Sequence, residues 1–133
     1  MDNIEFVTDL YEAFKRGDLP YIVERFGDLE NSGVVADAGK LAPWHFPLRG
    51  SGAVVKYFEA LMGTMEPIRL DARDLATSGD YVYATLSQEW KVRATGKVLV
   101  MKDGAHRFRI RAGMVVEWRA FEDTALTCEA LGL

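Results

Sequence analysis

The chain has 133 residues, 49% of them hydrophobic and 27% charged, which is ordinary for a globular protein and enough for a real core. Its net charge of −4 excludes a general nucleic-acid surface, and no apolar run approaches the ~20 residues that span a bilayer. Cys128 is the only cysteine, and Met1-Asp2-Asn3-Ile4-Glu5 has no basic segment before an apolar stretch, so the expectation is a soluble cytoplasmic protein with neither internal disulfide nor signal peptide.

Ile4, Val7, Leu10, Tyr11 and Phe14 recur at steps of three and four, the apolar stripe of a helix. Gly17 is a natural stop, because glycine accepts the left-handed conformation at a helix end. Asp18 then serves as N-cap of a short second helix marked by Leu19, Ile22, Val23 and Phe26. Residues 33–36 read as a short strand broken by Asp37-Ala38-Gly39. Pro43 and Pro47 bar a regular helix over 40–49, a segment whose Trp44, His45 and Phe46 are expected to pack over something rather than face water.

After Gly50-Ser51-Gly52, Val54, Tyr57, Phe58, Leu61, Met62 and Met65 form the face of a third helix, and Pro67 prevents its continuation. Strands fill the rest. Ile68, Leu70 and Ala72 alternate with Arg69, Asp71 and Arg73. Val82, Ala84, Leu86, Gln88, Trp90 and Val92 share one face of a long strand. His106, Phe108 and Ile110 alternate with a basic row, Arg107, Arg109 and Arg111, for which pairing with Glu89 and Glu117 on neighbouring strands is the simple explanation and a dimer surface the alternative. Val116, Trp118 and Ala120 lead into Glu122 and Asp123. Helices first and consecutive hairpins after them predict an α+β fold with an antiparallel sheet and an apolar interior.

Four pieces then carry a resemblance: the helix ending in Gly17-Asp18-Leu19; Pro47-Leu48-Arg49-Gly50 leading into Ala53-Val54-Val55-Lys56-Tyr57-Phe58; Arg107-Phe108-Arg109-Ile110 before a turn; and 116–123 ahead of Glu129-Ala130-Leu131-Gly132. In order and spacing they resemble the nuclear transport factor 2-like superfamily, in particular its SnoaL-like and ketosteroid isomerase-like branches, over residues 1–133 as one domain. The resemblance implies a cone-shaped curved sheet, a cystatin-like roll, packed on three helices from the N-terminal half. It also implies a pocket at one end and a homodimer. Activities of such proteins include proton transfer beside a carbonyl, aldol-type ring closure, epoxide hydrolysis and dehydration; one scaffold hosts many reactions.

His106 stands on the face of Phe108 and Ile110 and points into the expected cone. By resemblance it occupies the place of an interior hydrogen-bond donor to a substrate oxyanion; a histidine can donate there or act as a base. The ordinary alternative is a core histidine satisfied by a backbone carbonyl. Asp123 resembles the aspartate that closes the final strand of SnoaL-like cyclases. Strict alternation places Glu122, not Asp123, on the face of Trp118 and Ala120; a bulge at the strand end reverses that, and an N-cap over 124–131 is the competing role for Asp123. Asp37 resembles the general base of ketosteroid isomerases, although Asp-x-Gly is first a turn. Tyr11 falls one residue out of register with the oxyanion tyrosine of those enzymes, with Leu10 in the matching slot, and the Arg-x-Asp of epoxide hydrolases is missing.

Trp44, Phe46, Phe58, Trp90, Phe108 and Trp118 are candidate pocket walls, Trp44 and Phe46 as a lid, and Gln88 a candidate ligand-orienting amide. No Cys/His cluster stands at metal-ligand spacing and no glycine-rich phosphate loop follows a strand, so no metal and no cofactor are expected. The expectation is a cofactor-independent isomerase, cyclase or lyase. His106 and Asp123, with Asp37 as a second carboxylate, move protons on a small apolar, oxygen-bearing, polyketide- or steroid-like molecule. The alternative is a non-catalytic ligand-binding or dimeric interaction protein on the same fold.

Overall fold

The computed structural model describes residues 1–36 and 39–133. In chain order the elements are α1 (Asn3–Lys15), α2 (Leu19–Glu24), β1 (Leu29–Val34), β2 (Leu48–Gly50), α3 (Ala53–Thr64), β3 (Met65–Ser78), β4 (Tyr81–Val92), β5 (Val98–Arg111), β6 (Met114–Phe121) and α4 (Thr124–Ala130). Asp2 caps α1 by accepting from the Glu5 N–H at 2.8 Å, and Gly17 leaves that helix with φ +75°. Asp18 caps α2 as the sequence predicts, through Tyr21 N–H at 3.2 Å.

Six strands form one curved sheet in the order β2-β1-β6-β5-β4-β3. Its pairs are antiparallel except β1 with β6, where Gly33 faces Arg119 and Val34 faces Ala120 in parallel. The antiparallel expectation is corrected there. β1 enters from the helical half of the chain, not by a hairpin, so nothing forces it to run against β6. Ser32 Oγ ties the two strands by accepting from the Trp118 N–H at 2.9 Å.

The inward face of β4 follows strict alternation: Val82, Ala84, Leu86, Gln88, Trp90 and Val92 are all buried. Two register shifts alter the neighbouring strands. Between Leu86 and Gln88 the β5 partners pass from Gly104 to Met101, which puts one extra residue on β5. Leu99 and Met101 therefore point inward before the bulge and His106, Phe108 and Ile110 after it. The second lies between Arg109 and Ile110, opposite Glu117 and Val115. It makes Val115, not Val116, the inward residue of early β6, a correction to the simple alternation predicted there. The basic row pairs across strands, Arg107 with Glu117 at 3.0 Å, while Arg109 and Arg111 meet Asp80 at 3.0 and 3.3 Å in place of Glu89. Among the described residues no helix is long and apolar enough to cross a membrane.

Candidate functional site

The sheet curls over α1 and α3 and leaves a cavity of about 80 Å³ between them. Its wall is almost wholly apolar. Leu10 and Phe14 come from α1, Val54, Phe58 and Leu61 from α3, and Trp90, Leu99, Phe108 and Trp118 from the sheet. The volume is about half of the ~150 Å³ at which an apolar protein cavity takes up benzene. Polar atoms on this wall belong to Tyr11, Tyr57, Gln88, His106 and Glu122, together with the tryptophan indoles.

His106 reaches the cavity because it sits past the β5 bulge, opposite Ala84 on one side and Ala120 on the other. Small partners on both flanking strands leave its ring room. Tyr11 Oη lies 2.7 Å from His106 Nδ1, and the rings stack at 5.9 Å. Trp118 meets the same imidazole edge-on at 5.1 Å. Burial holds the His106 pKa down to about 3 and pushes Tyr11 well above the usual tyrosine value. At neutral pH both are uncharged. When the phenol donates to Nδ1, the imidazole carries its proton on Nε2, and that atom has no partner among the described residues.

Glu122 continues the inward alternation of Trp118 and Ala120. Pairing of β5 with β6 is regular from Ala105–Phe121 to Arg109–Glu117, so no bulge intervenes at this end of the strand. Glu122 lines the cavity, and burial raises its pKa to about 7. Tyr57 lies near enough to feel its charge; burial first, and the Glu122 carboxylate second, raise the Tyr57 pKa.

Asp123 is not part of this wall, which corrects its placement as the interior carboxylate. It is exposed, and its Oδ1 caps α4 by accepting from the Leu126 N–H at 3.0 Å. With the bulge at the far end of β6, alternation turns Asp123 outward. Asp37 lies outside the described residues. Trp44, Phe58, Gln88, Trp90, Phe108 and Trp118 line the cavity as expected; Phe46 packs against the core beside it without reaching the wall. The sequence reading left Tyr11 and Tyr57 without roles. A tyrosine on each of the two helices facing the sheet was the available signal, hidden because both also fit a plain apolar stripe.

His45 is buried elsewhere, with Nδ1 accepting from the Ala42 N–H at 3.1 Å. Among the described residues no group of three histidine, cysteine, aspartate or glutamate side chains is arranged to hold a metal ion.

The model of the SnoaL-like domain family matches residues 7–118, ending four residues short of Glu122. Three solved structures share the fold. A nuclear transport factor 2-like protein from Burkholderia thailandensis E264 is 25% identical, with 96% of this chain and 95% of that one covered at a TM-score of 0.81. A nuclear transport factor 2-like protein of unknown function from Burkholderia pseudomallei K96243 is 20% identical, with both chains wholly covered at a TM-score of 0.85. TerC, co-crystallized with polyporic acid, is 20% identical, with 98% of each chain covered at a TM-score of 0.80. No curated protein matches the chain significantly. The family match runs from the second turn of α1 through the sheet to Trp118, and the chain belongs to the SnoaL-like domain family.

Proposed function

We propose that this protein is a cofactor-independent enzyme that moves a proton next to a carbonyl of a small, mostly apolar molecule. The observation that carries the reading is that one apolar cavity holds a carboxyl pushed up to about 7 and a histidine pushed down to about 3. Groups driven apart in this way take opposite roles. Glu122 is the base: at neutral pH a large fraction is ionised, and its carboxylate is strong enough to take a proton from carbon next to a polarised carbonyl. His106 is the donor. Its neutral Nε2–H, held in that tautomer by Tyr11, hydrogen-bonds the carbonyl oxygen as that oxygen gains charge. Glu122 then returns the proton to a different carbon, or to the same one, so no net charge or atom is left on the protein. Isomerisation follows when the return site differs; ring closure follows when the carbanion attacks a second carbonyl carbon, whose oxygen then takes the proton from Glu122.

The size of the cavity favours a substrate of a few carbon and oxygen atoms. A polyketide- or steroid-sized ring system needs more space than the cavity of about 80 Å³ offers. The same small and nearly all-apolar wall is what favours the second reading, ligand binding without turnover.

Small cyclic ketones and enones incubated with the protein in deuterium oxide separate the two. Wild type is expected to catalyse exchange of the hydrogens next to the carbonyl, with the rate rising with pH through about 7 as Glu122 ionises. Glu122→Gln is expected to lose about a hundredfold or more, the scale of acid–base catalysis. Asp123→Asn is expected to exchange like wild type. Full activity in Glu122→Gln ends the assignment; a thermal shift on ligand addition with no exchange in wild type establishes the binding reading instead.

A further inference from the structure

Gln88 carries a buried hydrogen-bond donor that the reading above leaves unused. Its Oε1 accepts from the Trp90 indole N–H at 3.0 Å, and because an indole N–H only donates, that bond fixes which end of the amide is which. Nε2 is thereby turned away from Trp90; it is buried and has no partner. A sealed amide N–H₂ without an acceptor is unusual enough to need a reason.

Gly104 shows what it faces. A Cβ added there would lie 3.5 Å from Gln88 Nε2, 3.3 Å from the Phe121 carbonyl oxygen and 3.8 Å from the Glu122 Cβ. The amide and the root of the Glu122 side chain thus flank one gap that exists because residue 104 has no side chain. The Glu122 carboxyl stands two rotatable bonds beyond its Cβ, and both residues line the same cavity.

We propose that Gln88 is a positioning residue for Glu122, its amide N–H donating to the Glu122 carboxylate across the Gly104 gap when that carboxyl loses its proton. The inference rests on Glu122 being the base. Trp90 aims the amide, Gly104 keeps the space, and the donor supports the charged form of the acid more strongly than the neutral one. Among the described residues the other titratable groups on this wall are Tyr57 from α3, Tyr11 from α1 and His106 from β5, and no lysine or arginine lines it. On α4, Asp123 and Glu129 are exposed and Cys128 Sγ meets the Lys40 carbonyl at 3.5 Å. Gln88 is the neutral donor that lies beside the root of the Glu122 side chain without a partner of its own.

The test is the titration of the Glu122 carboxyl carbon, followed by nuclear magnetic resonance in protein labelled at glutamate. In Gln88→Met the midpoint is expected to rise by about one pH unit, the effect of removing a hydrogen bond to the charged form. Gly104→Ala is expected to raise it too, because the methyl group occupies the gap. Gly104 does not have the left-handed backbone of Gly33 or Gly50, so alanine fits its conformation, and the Phe121 carbonyl oxygen, 3.3 Å from the added methyl, has to give by a few tenths of an ångström. An unchanged midpoint in folded Gln88→Met overturns the inference, whatever that variant does to stability. Should Gln88→Met fail to fold, Gly104→Ala decides by the same criterion. A raised midpoint in a protein that exchanges none of the ketones upholds the Gln88–Glu122 link and sinks only the catalytic reading.

Discussion

Glu122 and His106 are titratable guests in the same apolar wall, and each leaves a signature in stability. The Glu122 pKa moves from 4.5 to about 7 on folding. Between those values the folded chain holds a proton that the unfolded chain has released, so stability falls as pH rises through that window and stays lower above it. Glu122→Gln is therefore expected to gain up to about 3 kcal/mol on wild type between about pH 4.5 and about pH 8, measured by urea unfolding. His106 acts in the other direction. Its pKa moves from 6.5 to about 3, so the unfolded chain takes up a proton that the folded one refuses, and stability present above 6.5 is lost as pH falls towards 3. Tyr11→Phe removes the donor to Nδ1. The expected result is a ring free to hold either tautomer, visible in its nitrogen shifts, and exchange about ten- to a hundredfold slower, about 1.4–2.7 kcal/mol of barrier.

Two elements decide which acid faces inward. The end of β6 pairs with β5 without a shift, which turns Glu122 to the cavity and hands Asp123 to α4 as its cap. Asp123→Ala is expected to cost about 1 kcal/mol through the lost cap, read by thermal unfolding, and to leave the Glu122 titration where it was. The opposite pattern, intact stability with a shifted titration, would return Asp123 to the site. The bulge in β5 has a comparable role. One extra residue between Met101 and Gly104 changes the parity of the strand, and only through that change does the even-numbered set holding His106 point inward.

At the scale of the whole molecule, the cavity lies between the curved sheet and the helices α1 and α3. Single-residue chemistry is inert without that space. Leu10→Trp, a larger residue on the wall, is expected to fold with a cost of about 1–3 kcal/mol from overpacking. It is expected to abolish both exchange and any ligand-induced rise in melting temperature. A Leu10→Trp protein that still exchanges places the chemistry somewhere other than this cavity.

Local patterns were legible in the chain, and they covered most of the fold. Helical spacing located α1, α2 and α3, alternation located β4 and the second half of β5, and the cavity-facing side of His106, Phe108, Trp90 and Trp118 followed from parity. These signals survive because they depend on neighbours within a few residues. Parity also favoured Glu122 over Asp123 until the resemblance argued the other way. The Tyr11–His106 hydrogen bond, spanning 95 positions, was not legible, since a tyrosine on an apolar stripe reads the same whether it packs or donates. The sequence by itself determined the element order, the apolar interior and the inward face on which His106 stands. Only the tertiary structure decided the bulges, the parallel pairing of β1 with β6 and the partners that set each proton affinity, because register and burial are properties of strands and helices brought together from distant parts of the chain.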